Sequence, residues 1–114
     1  MKIALDEAAK IIGDAQTIIL TAHIRPDGDA IGSTLGLMHY LREQGKDARV
    51  LIDDELPRIF NVLPGIEMIE RPAEGQRYTA DLLIVCDVEL KRTGAVLDAV
   101  DAVRVLNIDH HVTN

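Results

Sequence analysis

Tryptophan is missing from this sequence, and its other aromatics amount to two Tyr and one Phe. A core must therefore be built from Ile, Leu, Val and Ala, as is usual where parallel strands are covered by helices on both faces. Cysteine is nearly as scarce. A lone Cys86 excludes an internal disulfide and suits a reducing compartment. It lies in the apolar run LLIVC, where a buried strand residue is expected rather than a reactive thiol. No apolar run approaches the roughly 18 residues needed to span a membrane. Residues 1–16 carry acids at amphipathic spacing, not the basic start and apolar stretch of a signal peptide. These absences predict a cytoplasmic protein that does not engage a membrane.

Positive charge is also in short supply. Twelve Lys and Arg face 19 Asp and Glu, giving a net charge of −7 and a pI near 4.9. Tight capture of long nucleic acid needs several cations against phosphates and is not expected. The balance fits a chain that gathers carboxylates around divalent cations, although acidic surfaces also serve plain solubility. The glycine fingerprint G-x-G-x-x-G is absent as well. The turn after the first apolar run reads HIRPDGD instead, which excludes a dinucleotide-binding domain of that kind. What is present is an apolar fraction of 47% in 114 residues, enough for a real core in one domain at most.

Periodicity divides the chain into alternating elements. Residues 3–14 repeat apolar positions at helical spacing, and 17–22 (TIILTA) form a short β-branched run that predicts a buried strand. A turn-rich stretch from His23 to Gly28 leads into a helix over 29–44, closed by Gly45 as the residue past its end. Further strands are predicted at 48–52, 66–69, 82–86 and 103–108, helices at 57–63 and 93–101, and a surface loop at 72–80. The alternation predicts a Rossmann-like, doubly wound α/β fold with a mainly parallel sheet flanked by helices. The sequence halts at Asn114 just after a strand delivers DHHVTN, so it is expected to be part of a longer protein.

In open parallel sheets, ligands bind beyond the carboxyl ends of the strands. Three polar clusters fall at such positions: His23, Asp27 and Asp29 after 17–22, Asp87 after 82–86, and Asp109, His110 and His111 after 103–108. If the strands are parallel, all three emerge at one edge. Carboxylates mixed with imidazoles and free of thiolates favour Mn²⁺, Fe²⁺, Co²⁺ or Zn²⁺, with Mg²⁺ a second choice. Four carboxylates and three imidazoles exceed one ion's needs and suit a pair about 3.5–4 Å apart. Each residue also has a plainer reading. Asp27 and Asp29 can be a turn and a helix cap, and Asp87 a cap. His39 is expected to be a partly exposed helix residue, Asp53 and Asp54 a solvated loop, and Gly32 and Gly36 aids to close helix–sheet packing.

Three segments, HIRPDGDAIGS (23–33), LLIVCDVELKRTG (82–94) and NIDHHVTN (107–114), closely resemble the successive N-terminal motifs of the DHH phosphoesterase superfamily. They are most similar to its bifunctional oligoribonuclease and 3′-phosphoadenosine-5′-phosphate phosphatase branch, and the likeness extends to DDELPRIFNVLPG (53–65). The resemblance implies two Mn²⁺ ions, with Mg²⁺, Co²⁺ or Zn²⁺ as substitutes. It places His23 and Asp27 on one ion, Asp29 and His110 on the other, and Asp87 between them. It makes Asp109 the partner that orients His110, and His111 the group facing the scissile phosphate. Arg25 and Asn114 are candidate phosphate contacts, with exposure and turn formation as their alternatives.

The implied activity is hydrolysis of short oligonucleotides, linear dinucleotides such as pApA, or 3′,5′-bisphosphate nucleotides such as pAp, and a homodimer is allowed for the full-length protein. Two departures from the family pattern stand out. A further Asp ligand well downstream of the DHH triplet and a C-terminal DHHA1 substrate-binding domain have no counterpart in residues 1–114. The chain is thus expected to be the N-terminal part of a DHH domain, weak or inactive by itself. Alternatives are a family II inorganic pyrophosphatase-like hydrolase and a non-catalytic nucleotide- or metal-binding fragment.

Overall fold

The computed structural model describes residues 5–23, 26, 28–86 and 96–108. Five strands form one all-parallel sheet in the order β3-β2-β1-β4-β5. They are β1 (Thr17–Thr21), β2 (Asp47–Leu51), β3 (Ile69–Glu70), β4 (Tyr78–Cys86) and β5 (Val100–Ile108). Among the described residues three α-helices accompany them: α1 (Leu5–Asp14), α2 (Gly28–Glu43) and the single turn α3 (Val96–Ala99). The predicted α/β architecture is the observed one.

Strand β1 has neighbours on both sides and apolar side chains on both faces, which is why TIILT reads as an unbroken apolar run. On one face Ile18, Leu20, Val50, Leu82 and Ile84 pack with Ile31, Leu35, Met38 and Leu41 of α2 and with Ile11 and Ile12 of α1. On the other, Ile19, Leu51, Leu83 and Val85 gather with Val96 and Val100. Cys86 is buried, as expected.

The end of α2 follows its sequence signal closely. Gly45 adopts φ +82°, its N–H donates to the Arg42 carbonyl at 3.0 Å, and the Lys46 N–H donates to that of Leu41 at 3.1 Å. This is the paired bonding of a Schellman stop, and a left-handed residue there favours glycine. The Lys46 ammonium turns back to the Gly13 and Ala15 carbonyls at 2.9 and 2.6 Å, tying off the end of α1.

Several boundaries differ from expectation. Residues 72–80 are not wholly loop, because β4 begins at Tyr78 and runs nine residues. The strand expected at 66–69 is mainly a 3-10 turn, Ile66–Met68, with only Ile69 and Glu70 paired as β3. The helix expected at 57–63 is a 3-10 turn, Arg58–Val62. Of the helix expected at 93–101, residues 93–95 lie outside the described residues, and Val100 and Asp101 already belong to β5. Gly32 and Gly36 do not mediate helix–sheet packing. Both are exposed, and a methyl group on either would meet nothing within 4 Å among the described residues.

At the amino end of the sheet, Asp81 latches β4 to β1. Its carboxylate accepts from the N–H groups of Gln16 and Thr17 at 2.9 and 3.1 Å, while its own N–H donates to Thr17 Oγ1 at 2.9 Å. Those backbone donors hold the Asp81 carboxyl below the usual aspartate range.

Candidate metal-binding edge of the sheet

The sheet order fixes where a ligand would bind. From β1 the chain moves outward through β2 to β3, then crosses back to β4 and continues outward to β5. The order therefore reverses between β1 and β4, the switch point at which open α/β sheets form their crevice. The carboxyl ends of the three relevant strands are level. Thr21 pairs with Val85, Val85 with Asn107, and Cys86 with Ile108.

Of the residues expected to build the site, His23 and Asp29 are described. His23 is half-buried, two residues beyond the end of β1. Asp29 is exposed in the first turn of α2, where the helix dipole favours a carboxylate. Burial of Ala30, Ile31 and Thr34 just behind it anchors that turn to the sheet. Arg25, Asp27, Asp87, Asp109, His110, His111 and Asn114 lie outside the described residues. Their chain neighbours Pro26, Cys86 and Ile108 do not: Pro26 is buried, and Cys86 and Ile108 end adjacent strands. Among the described residues, no three His, Cys, Asp or Glu side chains gather closely enough to hold an ion.

His39 is exposed on α2. Asp53 is half-buried in the loop after β2 and faces Arg71 at 3.4 Å. Arg49 and Glu70 pair across β2 and β3 at 2.6 Å, which moves the Glu70 carboxyl down and the Arg49 guanidinium up. Both side chains are at least 40% exposed, so solvent screening leaves that pair worth about 0–1 kcal/mol.

A cleft of about 320 Å³ opens at the opposite, amino end of the sheet, between Asp14, Asp81 and Arg104. It does not compete as the reactive site, because strand amino ends lack the topological crevice and the Asp81 carboxylate is already committed to backbone donors. Sequence reasoning missed one neighbour of the switch point, Phe60. A methyl group on Gly28 would touch its ring edge at 3.4 Å. The available signal was the three-residue spacing of Phe60 and Leu63 in a 3-10 turn.

With the geometry in place, likeness to known proteins can be stated. Residues 17–114 match the family model described as DHH family, N-terminal domain. The chain is 40% identical over 97 residues to a bifunctional oligoribonuclease and PAP phosphatase of Thermus thermophilus, covering 85% of this chain and 28% of that protein. A Bacillus subtilis protein of the same description is 29% identical over 105 residues, covering 92% and 32% of the two chains. The crystal structure of an exopolyphosphatase-related protein from Bacteroides fragilis superposes with a TM-score of 0.79 at 32% identity, covering 94% of this chain and 34% of that one. The chain thus spans about a third of the length of these relatives.

Proposed function

Because this chain belongs to the DHH family, we propose that its β1–β4–β5 edge holds two divalent cations and, in the whole protein, hydrolyses phosphoesters of short nucleotides. The observation that carries the reading is the switch point between β1 and β4, which has His23 on one side and precedes Asp87 on the other. A half-buried imidazole and an exposed helix-terminal carboxylate at that point are a mixed nitrogen and oxygen donor set. Such a set suits Mn²⁺ better than Ca²⁺ or a thiolate-bound zinc.

Under this reading His23 and Asp27 would hold one cation, Asp29 and His110 the other, and Asp87 would serve both. When bound, the pair supplies Lewis acidity that activates water and neutralises the phosphate. Asp109 would orient the His110 ring by accepting its second N–H. His111 would face the scissile phosphate, to stabilise developing charge or protonate the leaving oxygen. Arg25 and Asn114 are candidate phosphate contacts, with solvent exposure and turn formation as their alternatives. The net charge of −7 disfavours long polyanions and supports short substrates, whose charge the cations themselves offset.

The likeness to an exopolyphosphatase-related protein favours a second reading, hydrolysis of phosphoanhydrides at the same edge. The intact protein, loaded with Mn²⁺ and offered pApA, pAp and pyrophosphate in parallel, separates them. Turnover of pApA and pAp with little release from pyrophosphate is expected. Pyrophosphate as the sole good substrate would replace the first reading with the second.

A further inference from the structure

The crossover from β2 to β3 is built from two 3-10 turns, and it meets α2 at two points. Residues three apart eclipse in a 3-10 turn. Phe60 and Leu63 are accordingly half-buried against the core, while Ile59 and Val62 stand outward, 77% and 85% exposed. The first contact is Phe60 Cε1 over Gly28, where an added methyl would lie at 3.4 Å. The second is Gly65, whose φ is +84° and whose added methyl would come within 2.6 Å of His39 Nε2. A side chain at Gly65 is therefore strained by the backbone, and the His39 ring would have to shift to admit it. Gly28 begins α2 and His39 lies eleven residues further along it, about 16 Å by helical rise.

Between these contacts the segment is stiff. The N–H of Phe60 donates to the Pro57 carbonyl at 3.1 Å, that of Leu63 to Phe60 at 3.0 Å, and that of Met68 to Gly65 at 2.9 Å. Pro57 and Pro64 restrict the chain before Phe60 and before Gly65. Phe60 is thus tied into its own turn by local backbone hydrogen bonds. Gly28 is flanked in sequence by Asp27 and Asp29.

We propose that Phe60 is a positioning residue: its ring edge backs Gly28 and so sets the first turn of α2, which carries the Asp29 carboxylate, for cation binding, an inference that rests on the metal reading above. Ligand sets tolerate errors of only about 0.5 Å before affinity suffers. A buttress on the residue next to a ligand is where such tolerance is set.

The test uses side chains of graded reach. Leu is apolar and close in volume to Met but stops at Cδ, short of the contacting atom, whereas Met and Tyr extend to the Cε position. Mn²⁺ affinity of the intact protein, read by the electron paramagnetic resonance of free Mn²⁺, is expected to weaken about tenfold in Phe60→Leu and Phe60→Ala. It should stay within about threefold of wild type in Phe60→Met and Phe60→Tyr, although denaturant unfolding places Phe60→Leu and Phe60→Met alike. Wild-type affinity in Phe60→Leu, or affinities that simply follow stability, would overturn the proposal. Asp29→Ala is the reference. If it keeps wild-type Mn²⁺ affinity, the metal reading itself fails. If it loses affinity while Phe60→Leu does not, the buttress alone fails.

Discussion

Asp87→Ala is expected to lower phosphoester hydrolysis by the Mn²⁺-loaded whole protein more than about 100-fold, beyond what losing an outer partner of a metal ligand costs. Neighbouring strands lie about 4.8 Å apart, so the carboxyl ends of β1 and β5, with β4 between them, are separated by about 10 Å. Ligands from the outer two strands can each reach a cation, but two cations about 3.5–4 Å apart need a shared oxygen between them. Asp87 follows Cys86, the last residue of the middle strand, and is the residue proposed for that shared role. Steady-state turnover of pApA measures the loss, and the unfolding midpoint of the variant checks that the fold survives. Near-wild-type turnover would remove Asp87 from the role proposed for it.

Leu20→Ala should be the most damaging single change to the described core, at about 3–5 kcal/mol. Leu20 is fully buried on the central strand, pairs with Val50 on β2 and Ile84 on β4, and packs in the cluster beneath α2. The void left by the missing side chain cannot collapse easily, because neighbouring strands hold the backbone on both sides. Against a typical total of about 5–15 kcal/mol, this approaches the limit of folding. Urea denaturation measures it. Ile59→Ala is the matched control, expected to change stability by no more than about 0.5 kcal/mol because Ile59 is 77% exposed. Equal losses at the two positions would contradict the assignment of the core.

The central strands were legible because burial on both faces leaves an unbroken apolar run, and β1 and β2 end within one residue of expectation. The beginning of β4 was not, for a physical reason. Tyr78 and Ala80 pack on the Ile19 face, whereas Leu82 and Ile84 pack on the opposite face. The alternation changes side at Asp81, where the carboxylate leaves the pattern to receive the Gln16 and Thr17 N–H groups. A period-two search therefore loses the strand there. The two-residue β3 depends on pairing with Val50 and Leu51 of β2, a tertiary fact that leaves no periodic trace in six residues. Gly32 and Gly36 suggested close packing by their spacing, yet they lie on the exposed side of α2.

Of the candidate site, the strand ends that precede its residues were legible, and their arrangement was not. Placing His23, Asp87 and Asp109 at strand carboxyl ends required only apolar runs followed by polar residues. That β1, β4 and β5 are adjacent follows from the crossover after β3, which residue spacing does not encode. Phe60 escaped notice because its role depends on which face of a five-residue turn meets Gly28.

The central claim is that two cations sit at the switch-point edge. Anomalous X-ray scattering from crystals of the intact protein soaked in Mn²⁺ tests it most directly. The account predicts two peaks about 3.5–4 Å apart beyond the carboxyl ends of β1, β4 and β5, beside His23 and Asp29. Density absent there, or found instead in the amino-end cleft beside Asp14 and Asp81, would contradict it.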